Sequence, residues 1–305
     1  MVALKFNVPR RWTQPELRAA AAAGVDAFIR LRLDEEPTRQ YSALFARADA
    51  RVKELFEATE NLRVFTGEVF RADQKRVEVA RYLCGPPVSA DDLRTFVGNK
   101  LGAKQLTAAL ADEVAAKLAR ARDPVRFPWL QEGRTPPPSE VESAVRWTAG
   151  LMAVERMRTN RRRDARNRQE RAVAISLTAA NCQKVKRPAK GVRAPDDLAI
   201  GTFTPEVQLA GVKCDLLARL RDRRLLAIEC KESNSAINSI KRLKHETGNK
   251  AAKWREAFGQ QVVPVAVLAG VFDIANLEDA QNERGIFLVW EADLSALEEF
   301  VRDAT

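Results

Sequence analysis

The chain has almost no histidine, and its few cysteines are widely separated. Its 305 residues include one histidine, His245, and four cysteines: Cys84, Cys182, Cys214 and Cys230. One histidine excludes zinc sites built on two histidines, and the lack of a Cys-x-x-Cys pair excludes the zinc-finger families. Four scattered cysteines indicate free thiols in a reducing compartment.

Long apolar runs are also absent. No stretch of about 18 consecutive apolar residues occurs, so we expect no membrane span. The first ten residues do not follow the order of an export signal, in which a charged start precedes an apolar stretch. We therefore expect a cytoplasmic protein, and the 46% of hydrophobic and 30% of charged residues indicate a folded globular chain.

The excess of basic residues lies in one segment of the chain. The net charge is +10, and residues 151–193 alone carry 13 basic and 3 acidic residues. We interpret this segment as a helix along DNA phosphates, although a solvated helix face or a flexible arm is an alternative. The acidic residues of 264–305 are not expected to share that surface. The candidate DNA contacts in the basic segment are Arg161, Arg162, Arg163 and Arg166.

The spacing of apolar residues divides the chain into two regions. Apolar residues recur every three or four positions in much of the first 130 residues, which predicts helices over 19–33, 41–62, 70–83 and 106–121. Three consecutive prolines at 136–138 then indicate a linker. The sequence thus predicts a helical N-terminal region, 1–138, for DNA contact or dimerisation, and a second region, 139–305.

The second region predicts an α/β fold. One or two long helices over about 140–180 are followed by a loop-like stretch, 184–204, after which strands and helices alternate. Such an order is typical of a mixed central sheet flanked by helices. The predicted strands are 212–220, 224–231, 264–272 and 285–290, and the predicted helices are 239–258 and 292–304.

Two of these strands form a predicted hairpin in which Asp215, Glu229 and Lys231 lie among apolar residues. Glu229 and Lys231 are two positions apart, so they share one face of a strand. If the turn is centred on Asp222, Asp215 lies opposite Glu229 across the ladder. Opposed carboxylates repel unless a cation compensates them. Magnesium binds one or two protein carboxylates together with water and phosphate oxygens, and a neighbouring lysine can position the attacking water.

The hairpin contains Asp215, then thirteen residues, then Glu229, Cys230 and Lys231. This order resembles the active-site hairpin of the PD-(D/E)XK nuclease superfamily. The superfamily's proline is replaced here by Cys214. The resemblance implies a restriction-endonuclease-like core, magnesium held by Asp215 and Glu229, and cuts that leave 5′-phosphate ends. It also implies a further carboxylate on the preceding helix, for which Glu170 is the candidate and Glu155 and Asp164 are alternatives.

Within that superfamily, the Arg-rich helix, the hairpin and the Asn-Lys-x-x-x-Trp series at 249–254 are similar to XamI-type restriction endonucleases. This likeness implies a type II restriction enzyme that cuts double-stranded DNA at a short palindrome such as GTCGAC. It also implies a homodimer, and a companion DNA methyltransferase that protects host DNA. The phosphate-binding series of ATP-driven enzymes, Gly-x-x-x-x-Gly-Lys-[Ser/Thr], is absent.

The segment after the hairpin is rich in side chains that bind nucleic acid. Asparagine and arginine can hydrogen-bond base edges, whereas lysine contacts phosphates. We interpret His245 as solvated or phosphate-facing. Alternative functions are a PD-(D/E)XK repair or junction nuclease and a non-enzymatic helical DNA-binding regulator. The candidate DNA contacts here are Asn234, Asn238, Arg242, Lys244, Asn249, Lys250 and Lys253.

Overall fold

The computed structural model of the chain describes residues 6–98, 101 and 106–304, and for residues 37, 38 and 162 it describes the backbone only. The chain forms two compact units. One is Glu35–Asn160, and the other combines Met1–Asp34 with Arg161–Thr305. In the described ranges no helix combines the length and apolar character needed to cross a membrane.

The unit Glu35–Asn160 consists of helices around one hydrophobic core. Aromatic side chains fill its centre: the rings of Phe56 and Phe127 meet edge to face, as do those of Phe127 and Trp129. Thr107 begins one helix by accepting a hydrogen bond from the backbone N–H of Leu110. The helices are α2 Ser42–Ala58, α3 Gly67–Ala72, α4 Lys75–Ala80, α5 Ala90–Phe96, α6 Ala108–Arg120, α7 Pro128–Glu132 and the first part of α8. A 3-10 turn, Arg81–Leu83, follows α4.

Helix α8, Pro138–Ala179, is 42 residues long and contains the Arg-rich segment. Its proline occupies the first helical position, where the missing N–H is not needed, and alanine, arginine and glutamate dominate its sequence. The predicted helical stretch is therefore a single long helix. Its last two turns bury Val173 and Leu177 in the second unit.

The second unit contains a six-stranded mixed sheet with the strands in sequence order. The pairs β1–β2, β4–β5 and β5–β6 are parallel, and β2–β3 and β3–β4 are antiparallel. The central strands are apolar and buried, as in sheets covered on both faces. The strands are β1 Gln183–Lys184, β2 Thr202–Leu209, β3 Val212–Arg219, β4 Leu225–Asn234, β5 Val262–Val271 and β6 Phe287–Trp290.

Helices cover both faces of this sheet. The end of α8 and α12 Ser295–Asp303 pack on the face that includes Leu216, Ile228 and Val265. The opposite face, which includes Ala227 and Ala266, packs against α1 Gln14–Arg30, α10 Asn249–Phe258 and α11 Ile274–Glu278. The short helix α9 Ala236–Ile240 follows β4. The π-helical segments Leu31–Tyr41, Lys241–Gly248 and Asp279–Glu283 continue α1, α9 and α11, and Pro195–Asp197 and Gly259–Gln261 are 3-10 turns.

The predicted fold class, a helical N-terminal region and an α/β part with a mixed sheet flanked by helices, is confirmed. The predicted loop 184–204 contains β1 and the start of β2, two strands that the sequence pattern did not predict. Pro205 lies inside β2, and a proline argues against a strand interior when only the sequence is read. The predicted helix 70–83 consists of short pieces separated at Asp73. The division into functional regions at residue 138 stays a prediction.

Helix α1 packs closely on β5 through a pair of glycines. A Cβ atom on Gly24 would stand 2.7 Å from the carbonyl oxygen of Gly270. Gly270 has a φ of +84°, and a Cβ there would stand 2.2 Å from the carbonyl oxygen of Ser233, its neighbour in the ladder. Only glycine fits this position, because any other residue brings both a strained backbone and a backbone clash.

Replacing Gly270 by alanine should therefore destabilise the sheet unit. We expect a loss of about 1–3 kcal/mol from the strained backbone, with the clash adding to it. Urea unfolding of the purified chain measures the change. Gly211→Ala is the matched control, because Gly211 has a φ of +76° but open space around the added atom. Equal losses in the two variants would show that the contact with Ser233 is unimportant.

Candidate active site

The hairpin of β3 and β4 brings the predicted trio together, and the pairs nearest its turn follow the register that the sequence predicts. Four ladder pairs, from Leu216–Ile228 to Arg219–Leu225, follow the predicted centring. Their regular alternation leaves Glu229 and Lys231 on one face of β4. Asp215, Glu229 and Lys231 are all buried. The hairpin therefore gathers three charged side chains in an apolar setting.

Asp215 lies where β3 loses its regular pairing on both sides. Toward β4, the ladder ends at Leu216–Ile228. The sequence predicted that Asp215 and Glu229 form the next ladder pair, and this pair is not present. Toward β2, the pairing omits the position where Asp215 would face Glu206, whose φ is +49°. This irregularity lets the Asp215 carboxylate accept a hydrogen bond of 3.0 Å from the backbone N–H of Cys230. Asp215 is thus fixed to the strand that carries the other two residues.

Glu229 is a carboxylate without solvent exposure. Its Oε2 atom accepts from the ammonium of Lys231 at 2.8 Å and from that of Lys250 at 2.7 Å. Its Oε1 atom is buried and has no hydrogen-bond partner among the described residues. A buried carboxylate is strongly unfavourable unless cations and donors satisfy it. Glu229 is therefore held by two lysines and retains one oxygen for a further partner.

Lys231 lies within ion-pair range of three carboxylates. Besides Glu229, its ammonium is 3.7 Å from Glu246 and 4.0 Å from Asp215. Burial lowers the pKa of Lys231, but the charges of Glu229 and Asp215 outweigh burial, and the pKa is raised above its usual value. Lys231 is consequently a stable ammonium at neutral pH. It can stabilise anionic charge, and it is not a ready proton acceptor.

Glu170, the predicted fourth member, lies on α8 and is half-buried. Arg166 donates to its carboxylate at 2.5 Å and also pairs with Glu206. Burial raises the pKa of Glu170 against the opposing effect of Arg166, and the charge of Asp215 adds to the rise. Of the two alternatives, Asp164 is exposed and pairs with Arg163, and Glu155 lies in the other unit.

The carboxylates fit a divalent cation of the magnesium type better than they fit an all-protein metal cage. No three of the described histidine, cysteine, aspartate and glutamate side chains are grouped closely enough to hold a metal. Magnesium does not need such a group, because it takes one or two carboxylates and fills its shell with waters and phosphate oxygens. The orphaned Oε1 of Glu229 and the adjacent Asp215 supply oxygen ligands of that kind.

A cavity of about 340 Å³ opens beside Lys231. It is predominantly basic, because three of its six lining side chains are lysines and only one is an acid. His245 lies in this wall and is exposed, in keeping with its interpretation as a solvated or phosphate-facing residue. The lining residues are Lys231, His245, Glu246, Asn249, Lys250 and Lys253.

The other predicted DNA contacts of this part of the chain are exposed residues at the end of β4, on α9 and on the π-helical segment. Asn234 and Asn238 are exposed and hydrogen-bonded to each other. Arg242 is exposed and pairs with Glu246 at 3.0 Å, and Lys244 is exposed. Whether these residues contact DNA stays a prediction, but each is accessible to a ligand.

The arginines of α8 are more engaged with acidic side chains than the charge count predicts. Arg166 pairs with two glutamates, and Arg168 pairs with Glu232 at 3.3 Å and with Glu291 at 2.5 Å. The last contact shows that an acidic residue of 264–305 shares this surface, contrary to expectation. Arg161 and Arg163 are exposed and have partners, and the side chain of Arg162 lies outside the described residues.

Sequence reasoning missed Glu246, Glu206 and Gln169 around the trio, and it predicted Lys250 as a DNA contact but not as a partner of Glu229. Glu246 and Lys250 are four positions apart in a predicted helix, so their common face was a usable signal. Glu206 gave no signal, because Pro205 concealed its strand. Gln169, next to Glu170, is 1% exposed, and its Nε2 donates at 3.3 Å to the carbonyl oxygens of both Lys231 and Val267. Gln169 thereby ties α8 to two strands beside the trio.

Comparison with known proteins identifies relatives of the chain. A family model described as XamI restriction endonuclease matches residues 60–290. The chain is also similar to a protein named Type II restriction enzyme XamI, from Xanthomonas campestris pv. amaranthicola. The two are 33% identical over 274 residues, which cover 85% of this chain and 96% of the relative.

Replacing Gln169 by leucine should destabilise the unit that contains the sheet. The variant keeps the side-chain volume and removes two hydrogen bonds from a buried position, so we expect a loss of about 1–3 kcal/mol in the free energy of unfolding. Chemical denaturation measures the loss. Gln183→Leu in β1 is the control, because Gln183 is exposed and should change stability by less than about 0.5 kcal/mol. A loss in the Gln169 variant as small as that of the control would contradict the anchoring role.

Proposed function

The chain belongs to the XamI restriction endonuclease family, and from this premise we propose that it is a type II restriction enzyme that hydrolyses both strands of DNA at a short palindrome. The observation that carries the proposal is the buried group of Asp215, Glu229 and Lys231 beside a basic cavity. A buried cluster of charges in a sheet has a stability cost that a function explains. The hairpin resemblance further supports assignment to the PD-(D/E)XK superfamily.

Asp215 and Glu229 would hold a magnesium ion, with Glu170 as an assisting carboxylate. When bound, magnesium would polarise the scissile phosphate and make water a better nucleophile. Asp215 is fixed by the backbone N–H of Cys230, and Glu229 offers a partnerless buried oxygen. Arg166 holds the Glu170 carboxylate, and the charge of Asp215 raises the pKa of Glu170, which supports a place for Glu170 beside the same ion.

Lys231 would act as a fixed cation and not as the base. Its raised pKa keeps the ammonium charged, so it donates hydrogen bonds to the attacking water and to the phosphate oxygen where negative charge develops. The proton released by the water must therefore pass to solvent or to a phosphate oxygen. The position of Lys231 in the cavity wall supports this role.

DNA would bind along the exposed basic side chains of α8 and of the segment after β4. Lys250 and Lys253 in the cavity would contact phosphates, and Asn234, Asn238 and Arg242 would reach base edges. The proposed target is a palindrome of the GTCGAC kind, and the products would carry 5′-phosphate ends. A palindrome implies a homodimer, since one copy of the site serves each strand. A companion methyltransferase would protect the host sequence.

Mapping the ends formed on a long unmethylated DNA tests the function directly. With magnesium, we expect discrete fragments whose ends share one palindrome and carry 5′-phosphates. The same digestion with excess chelator should yield no cuts. A smear, or cleavage restricted to branched DNA, would instead favour a repair or junction nuclease. Absence of cleavage with every divalent metal would favour a DNA-binding regulator.

Asp215→Ala and Lys231→Ala test the assignment of the site. Each should lower the single-turnover cleavage rate by about 100-fold or more, because each removes a group that stabilises the transition state. The Lys231 variant should still bind DNA in a gel-shift assay, since its loss falls on the chemical step.

Lys213→Ala is the control for these variants, because Lys213 is an exposed residue of the same strand as Asp215 and pairs with Glu206, not with a member of the trio. Its cleavage rate should stay within about threefold of the wild type, as surface changes usually have small effects. Full magnesium-dependent cleavage by both the Asp215 and Lys231 variants would refute the site.

A further inference from the structure

Two lysine ammoniums bind the same oxygen of Glu229. Lys231 and Lys250 reach Oε2 at 2.8 and 2.7 Å, and the carboxylate has no solvent exposure. Two cations on one buried oxygen more than neutralise that carboxylate, so a third cation at Glu229 meets repulsion at short range. The carboxylate proposed to hold magnesium is therefore already supplied with positive charge by the chain itself.

The two lysines differ in what else they contact. Lys231 extends from β4 and also lies near Glu246 and Asp215, so it keeps anionic partners if Glu229 turns to another cation. Lys250 lies in the first turn of α10, and among the described residues Glu229 is the carboxylate with which it pairs. Its side chain is 25% exposed and lines the basic cavity, so it has room to turn toward a ligand there.

We propose that Lys250 is the counter-cation of the metal-free site and that it exchanges partners when metal and DNA bind. In the free protein Lys250 pairs with Glu229. When metal and DNA bind, it leaves this carboxylate to the metal and pairs with a DNA phosphate in the cavity. Lys250 is thus a positioning residue that makes the metal site weak until DNA arrives. The inference rests on the proposed function, because it takes Glu229 as a metal ligand.

The exchange couples the binding of metal to the binding of DNA. Metal binding to the free protein requires breaking the contact between Lys250 and Glu229 with no new partner for the ammonium. A phosphate in the cavity supplies that partner, so DNA should strengthen metal binding, and metal should strengthen DNA binding by the same factor. The exchange would keep the protein from holding a metal-bound, cleavage-competent site before DNA binds.

Manganese affinity of the free protein, measured by electron paramagnetic resonance without DNA, tests the exchange. Lys250→Gln should bind Mn²⁺ about fivefold more tightly than the wild type or better, within the usual range of coupling between sites. Lys253→Gln is the matched control, because Lys253 lines the same cavity without contacting Glu229. Its affinity should change by less than about twofold, since an exposed charge that does not touch the carboxylate is weakened by solvent and salt.

Further variants keep the test decisive. Lys250→Arg retains the cation and should leave Mn²⁺ affinity at or below the wild-type value, whereas Glu229→Gln should abolish the tight site in every background.

Thermal unfolding and cleavage give two further readouts. In thermal unfolding without metal, Lys250→Gln should melt below the wild type, because Glu229 loses one of its two cations. Added Mn²⁺ should raise the melting temperature of this variant more than that of the wild type. In cleavage, Lys250→Gln should need less metal for half-maximal rate but reach a lower maximal rate.

The outcomes separate this inference from the proposed function. Equal Mn²⁺ affinity in the wild type, Lys250→Gln and Lys253→Gln, together with specific cleavage by the wild type, would overturn the exchange and leave the restriction activity standing. Equal gains in both glutamine variants would also overturn it, because they would reflect general charge and not the Glu229 contact. Absence of any metal-dependent cleavage by the wild type would remove the function itself.

Discussion

The charge of Glu229, enclosed by the sheet, is the constraint on which the rest of the site depends. A carboxylate removed from water is tolerated only with cations in contact, and the chain provides Lys231 from the same strand and Lys250 from α10. This requirement fixes how α10 lies against β4. It also gives Lys231 a raised pKa, so the chemistry of the lysine is a consequence of the burial of its neighbour.

The parts of the site that sequence could predict are those set by local geometry. The turn between β3 and β4 is short, so counting from Asp222 gave the correct ladder for Leu216–Ile228 and the pairs that follow it. The hydrogen bond from Cys230 to Asp215 could not be predicted in this way. It lies beyond the end of the β3–β4 ladder at Leu216–Ile228, where the N–H of Cys230 meets a side chain.

Long-range partners were beyond prediction for a different reason. Periodicity says which residues share a helix face, but not which strand that face meets, so the contact of Lys250 with Glu229 emerges only from packing. The same limit applies to the arginines of α8. A count of charges treats each arginine as available to bind DNA, whereas Arg166 and Arg168 form ion pairs with glutamates distant in sequence. Net charge therefore overstates the positive surface that this helix offers to a polyanion.

Cys230, between Glu229 and Lys231 on β4, is restricted differently in its main chain and in its side chain. Its N–H holds Asp215, while its thiol lies in the apolar core, where burial raises its pKa well above the usual value. Any small apolar side chain should therefore fit at position 230. Proline is the exception, because it would remove the backbone N–H and leave Asp215 without its hydrogen-bond donor.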